Sequence, residues 1–101
     1  MVNEIYRLTS GLPQSENFGL ISQMRRSAVS IPSNIAEGYK RRSSGQYLQF
    51  LSIADGSSAE LETQLVICKA NFLNLNYRAS ENLLNEVQKM LFVMIQRTPS
   101  K

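Results

Sequence analysis

Apolar residues recur along this chain at the three- and four-residue steps of a helix, with no stretch of strand-like alternation. Ile21, Met24, Ala28, Ile31 and Ile35 follow one another at steps of 3, 4, 3 and 4. Such a seam suits helices packing at about 20°. A longer series runs through Tyr47, Leu51, Ala54, Ser58, Leu61, Leu65, Cys68 and Phe72. It predicts a helix of about 30 residues, roughly 45 Å long. Ser43-Ser44-Gly45-Gln46 opens it as a capping box, with Ser at the N-cap and Gln three residues on. "NFLNLNY", from Asn71 to Tyr77, closes it, because asparagine tolerates left-handed backbone and competes for backbone bonds.

Two shorter helices flank these. Val2, Ile5, Tyr6 and Leu8 predict a helix over 1–10, stopped by Gly11 and Pro13. The second helix is expected to start near Ser15 as N-cap, with Glu16 at its positive end, and to end at Gly38. The last spans 80–97, with Leu83, Val87, Met90 and Met94 as its stripe. Its segment "MLFVMI", Met90 to Ile95, is apolar on every side, so one bundle face cannot bury all of it and some should meet another chain. Short loops make neighbours antiparallel. The expected fold is all-α: an up-down antiparallel four-helix bundle with a shortened first helix, one domain over 1–101, with helices at about 1–10, 15–38, 44–73 and 80–97.

Composition narrows the chemistry. There is no histidine and one cysteine, Cys68. That removes Ser-His and Cys-His nucleophile pairs, the HExxH zinc site and any zinc or disulfide site within the chain. Cys68 reads as a core thiol. No cofactor is expected. No apolar run reaches the roughly 20 residues of a membrane span, and no secretion signal opens the chain, so a cytoplasmic protein is expected.

The net charge is only +3, but it is unevenly placed. Arg25, Arg26, Lys40, Arg41 and Arg42 face a single acid, Glu37, between residues 21 and 42. Asp55, Glu60 and Glu62 follow without a base up to Cys68. Folding helix two back on helix three about a turn near Arg42 brings Arg25 and Arg26 level with Glu60 and Glu62, to within about one turn of helix. Arginine–carboxylate pairs inside the hairpin are therefore expected, part of them crossing an oligomer interface. By the same count Pro32 falls opposite Gly56. A proline in a helix removes an N–H and pushes away the carbonyl of Ala28. A glycine there costs about 1 kcal/mol. Together they predict a helix kink and a close backbone approach, with Ser30, Ser33 and Asn34 serving the freed backbone groups. A ligand site at Pro32 is the minority reading.

"FGLISQMRRSAVSIPSNIAEGYKRRS" followed by "YLQFLSIADGSSAELETQL" resembles a bacterial four-helix-bundle family whose first members were found encoded in intervening sequences of large-subunit ribosomal RNA genes. The resemblance covers about residues 5 to 75. It implies a fold similar to that of accessory proteins of diversity-generating retroelements, which bind nucleic acid, and a ring of five identical chains. It implies no enzymatic activity. It also implies that such bundles use the arginines, proline, glycine and glutamates that the hairpin argument picks out. This chain departs from the family in lacking tryptophan and in having a shorter first helix, which would leave a groove beside helices two and four.

Two functions follow as expectations. In the first, a non-enzymatic homo-oligomer, most simply a pentamer, binds RNA or DNA through Tyr39, Lys40, Arg41 and Arg42, with each weak site reinforced by its copies. The bland reading of those residues is solvated charge between helices. In the alternative, the protein is an interaction scaffold whose apolar groove and last helix take a protein partner.

Overall fold

The computed structural model describes residues 1–99. It contains helices α1 (Val2–Thr9), α2 (Leu20–Tyr39), α3 (Ser44–Asn71) and α4 (Arg78–Arg97), and no strand among the described residues. The expected bundle with a short first helix is what forms. α1 packs on α2 and α4, and α3 packs on α2 and α4, with no close approach across either diagonal. The long axis of the molecule, 46 Å, is set by α3, whose 28 residues span about 42 Å. α1, with eight residues, spans only about 12 Å.

The core follows the seams. Met24, Ala28 and Ile31 of α2 are buried, as are Leu51, Ala54, Leu61, Leu65 and Cys68 of α3. Ile5 and Leu8 complete the α1 side. α4 differs from expectation. Its buried residues are Ser80, Leu84 and Leu91, while Met90 is 47% exposed. The stripe is rotated by one position, because Leu83–Leu84 and Met90–Leu91 offer two adjacent apolar choices. Within "MLFVMI", Leu91 faces the core, Met94 and Ile95 are half-buried, and Met90, Phe92 and Val93 point outward.

The connections also differ in detail. Ser15 caps nothing: it lies in a single 3-10 turn, Gln14–Glu16, and α2 begins only at Leu20. Ser43 does cap α3, accepting from the backbone N–H of Gln46 at 3.1 Å. At the opposite end α3 stops at Asn71 without any left-handed residue. The α3–α4 turn is organised by Tyr77, which is buried. Its hydroxyl lies 2.5 Å from the Phe72 carbonyl and 3.1 Å from that of Cys68, which also accepts the Phe72 backbone N–H at 2.8 Å. Burial, reinforced by the neighbouring Cys68, holds the Tyr77 phenol far above its ordinary range. Burial also pushes the Cys68 thiol up.

Pro32 and Gly56 do not meet. Pro32 is exposed and borders an apolar groove of about 290 Å³ between the start of α1 and helices α2 and α4, together with Val2, Ile35, Val87 and Met90. A side chain added at Gly56 would meet nothing within 4 Å. The level of the two residues on the hairpin was right, but their azimuth was not. The contact between α2 and α3 there is made instead by Ser30 and Ser57, whose hydroxyls are 2.8 Å apart. The Asn34 amide donates to the Ser30 carbonyl at 2.7 Å and to its hydroxyl at 2.9 Å. The close approach lies at Gly38, which is buried. A Cβ there would sit 2.9 Å from Tyr47 Cδ1 and 3.1 Å from Phe50 Cβ. Glycine lets the last turn of α2 rest directly on the first turns of α3.

Candidate nucleic-acid interface

That contact builds the tip of the α2–α3 hairpin. Because Gly38 has no side chain, the Tyr47 ring packs under the end of α2 and stacks on Tyr39, with centroids 5.4 Å apart and planes 30° apart. Tyr39 is 70% exposed, so one face of a stacked aromatic pair is presented to solvent. Burial, and then the adjacent Tyr39 hydroxyl, push the Tyr47 phenol up. The backbone N–H groups of Lys40 and Arg41 continue the winding of α2 by donating to Glu37 and Gly38.

Three bases follow Tyr39 in the chain. Arg41 is held in place: its guanidinium lies 4.5 Å above the Phe50 ring and pairs with Glu37 at 3.1 Å. Lys40 and Arg42 are exposed, and neither pairs with a carboxylate among the described residues. The sequence brings Tyr39, Lys40, Arg41 and Arg42 together by adjacency. It did not reveal Tyr47 and Phe50 as their supports, although both lie one turn into α3, facing the end of α2.

The second set of candidates is dispersed. No ion pair joins Arg25 or Arg26 to Glu60 or Glu62 among the described residues. Neighbouring residues on a helix diverge by about 100°, and residues two apart by about 200°. Arg25 therefore turns to α1. Its Nε donates to Thr9 Oγ1 at 2.9 Å, Nη2 to the Tyr6 carbonyl at 3.4 Å, and the guanidinium covers the Tyr6 ring at 4.4 Å. Glu62 turns to α4 and accepts from Gln88 at 3.3 Å. Arg26 and Glu60 border one polar groove without pairing. Nothing in the local sequence marks Thr9 and Tyr6 as partners of Arg25, because the contacts span 16 and 19 residues.

Comparison with known proteins turns on one match: the family model of the 23S rRNA-intervening sequence protein covers residues 1–93. The chain belongs to the 23S rRNA-intervening sequence protein family. No curated protein matches it. The family's description names ribosomal RNA and no catalytic activity. Among the described residues, no helix is long and apolar enough to cross a membrane.

Proposed function

We propose that this member of the family is a non-enzymatic, oligomeric RNA-binding protein that uses the α2–α3 tip as its contact. The observation that carries this reading is the exposed Tyr39 ring, stacked on Tyr47 and followed in the chain by Lys40, Arg41 and Arg42. Unpaired bases stack on aromatic faces, and adjacent cations engage the phosphates. A family named for ribosomal RNA supports RNA over DNA. One tip offers few phosphate contacts, so a useful affinity calls for several tips in one particle, most simply a pentamer. Exposed Phe92 and Val93, with Met90 at the edge of the apolar groove, supply surface for contact between copies.

Native mass spectrometry of protein purified without nuclease tests the assembly: five-chain particles carrying mass that RNase removes are expected. Lys40→Ala/Arg41→Ala/Arg42→Ala tests the site. Its binding to single-stranded RNA should weaken, and the slope of log affinity against log salt should fall by about 2 for three lost contacts. Unchanged affinity in the triple variant rejects the tip.

A second reading, a protein-interaction scaffold, draws on the apolar groove between α1, α2 and α4. Its occupant would be an amphipathic partner helix laid along Ile35, Val87 and Met90. Monomers free of RNA in the same mass spectra, captured by such a helix, would favour it.

A further inference from the structure

A groove of about 860 Å³ runs along the outer side of α1 and α2 and includes Tyr6, Ser22, Arg25, Arg26, Ser33 and Asn34. No acidic residue lines it. Arg25 is partly buried there, yet its partners are a hydroxyl, a carbonyl and an aromatic face, all neutral. A cation withdrawn from water normally needs a counter-charge. Here the counter-charge is missing while the geometry is fixed. Thr9, fully buried, donates to the Ile5 carbonyl at 2.7 Å and so presents its oxygen to Arg25. Of the five guanidinium N–H groups, two are used and three remain for a ligand. Arg26 is exposed beside it and unpaired among the described residues.

We propose that this groove is a second phosphate-binding site for the RNA backbone, with Arg25 as its fixed donor and Arg26 as its mobile one. The proposal rests on RNA being the partner, and it adds where the strand runs. Ser22, Arg26, Ser33 and Lys40 fall on one face of α2 at steps of four, seven and seven. Arg26 to Lys40 is about 21 Å along the helix. Glu37 lies on the same face, but Arg41 neutralises it. A single strand can therefore pass from the groove to the stacked tyrosines without meeting an unpaired acid of α2, the unpaired Glu60 of α3 lying in the polar groove on the other side of Arg26 and Ser30.

The test uses the full chain and a labelled uridine 12-mer, with anisotropy measured from 50 mM salt upward. Arg26→Gln and Arg25→Gln/Arg26→Gln are compared with wild type and with the tip triple variant. Each lost phosphate contact should lower the salt slope by about 0.7 and the affinity at 50 mM salt by about eightfold relative to molar salt. Arg25→Lys, which keeps the charge but not the fork over Tyr6, should lose affinity as well. Groove variants that bind like wild type while the tip variant is impaired overturn the groove and leave the RNA reading standing. Groove variants that lose binding while the tip variant does not uphold the groove and overturn the tip. No binding by wild type overturns both. If the double variant does not fold, Arg26→Gln decides the matter, because Arg26 is exposed.

Discussion

Gly38 and Gly56 both sit inside helices, and replacing each by alanine should move stability in opposite directions. Alanine gains about 1 kcal/mol over glycine in a helix interior. At Gly56 nothing opposes that gain, since the new methyl meets no atom within 4 Å. Gly56→Ala should raise stability by up to about 1 kcal/mol, or about 4–8 °C in Tm for a chain of this size. At Gly38 the methyl would lie 2.9 Å from the Tyr47 ring and 3.1 Å from Phe50 Cβ. The ring could swing, but Phe50 Cβ is fixed to the α3 backbone and cannot give without moving the helix. Overpacking of this kind costs about 1–3 kcal/mol. Set against the helix gain, the net loss is about 1 kcal/mol. Urea unfolding followed at 222 nm, at two protein concentrations, measures both variants. Near-ultraviolet dichroism should report the disturbed Tyr39–Tyr47 stack in Gly38→Ala, because the chain has no tryptophan to mask it. A Gly38→Ala protein as stable as wild type would refute the close packing of the tip. A destabilised Gly56→Ala would mean that another chain covers its open side.

Other outcomes follow from the same packing. Pro32→Ala restores the N–H that the Ala28 carbonyl lacks, at an exposed position, and should raise the urea midpoint by about 1–2 kcal/mol in stability. A lower midpoint would mean the bundle depends on the backbone that Pro32 fixes. Tyr77→Phe removes the hydroxyl donor from the Phe72 carbonyl, while the Cys68 carbonyl keeps the Phe72 N–H, and should cost about 1–2 kcal/mol at neutral pH. Its pH dependence has a definite sign. The folded phenol titrates above its unfolded value of about 10, so its contribution is complete below pH 10 and is lost as pH rises beyond it. Wild type should therefore weaken above pH 10 more steeply than Tyr77→Phe, and parallel alkaline profiles would contradict the buried hydroxyl.

The architecture was legible because α2 and α3 each carry one unambiguous seam. Met24 lies between Gln23 and Arg25, and Leu61 between Glu60 and Glu62, so at these positions only one face could turn inward. α4 was read one position out because Leu83 and Leu84 compete on equal terms. The tip was legible because its four residues are contiguous. The Arg25 site was not, because counting along a hairpin fixes height and leaves direction around the axis open. Arg25 follows Met24, a fully buried core residue, and only the placement of α1 decides which side the guanidinium joins. Pro32 and Gly56 failed for the same reason. Gly38, read only as a helix end, turned out to be the residue that lets two helices touch.

The shortness of α1 carries a thermodynamic consequence. Eight residues lie below the roughly 12–15 at which an isolated helix holds together in water. α1 is therefore helical only while Ile5 and Leu8 stay docked. When it lifts away, Thr9 and Tyr6 leave with it, and Arg25 becomes an ordinary hydrated side chain. The anion site and the docked helix are thus a single linked equilibrium. Ligand at a hundred times its dissociation constant adds about 2.7 kcal/mol to the docked state. The least self-sufficient segment of the chain would then become the one most strongly governed by what the protein holds.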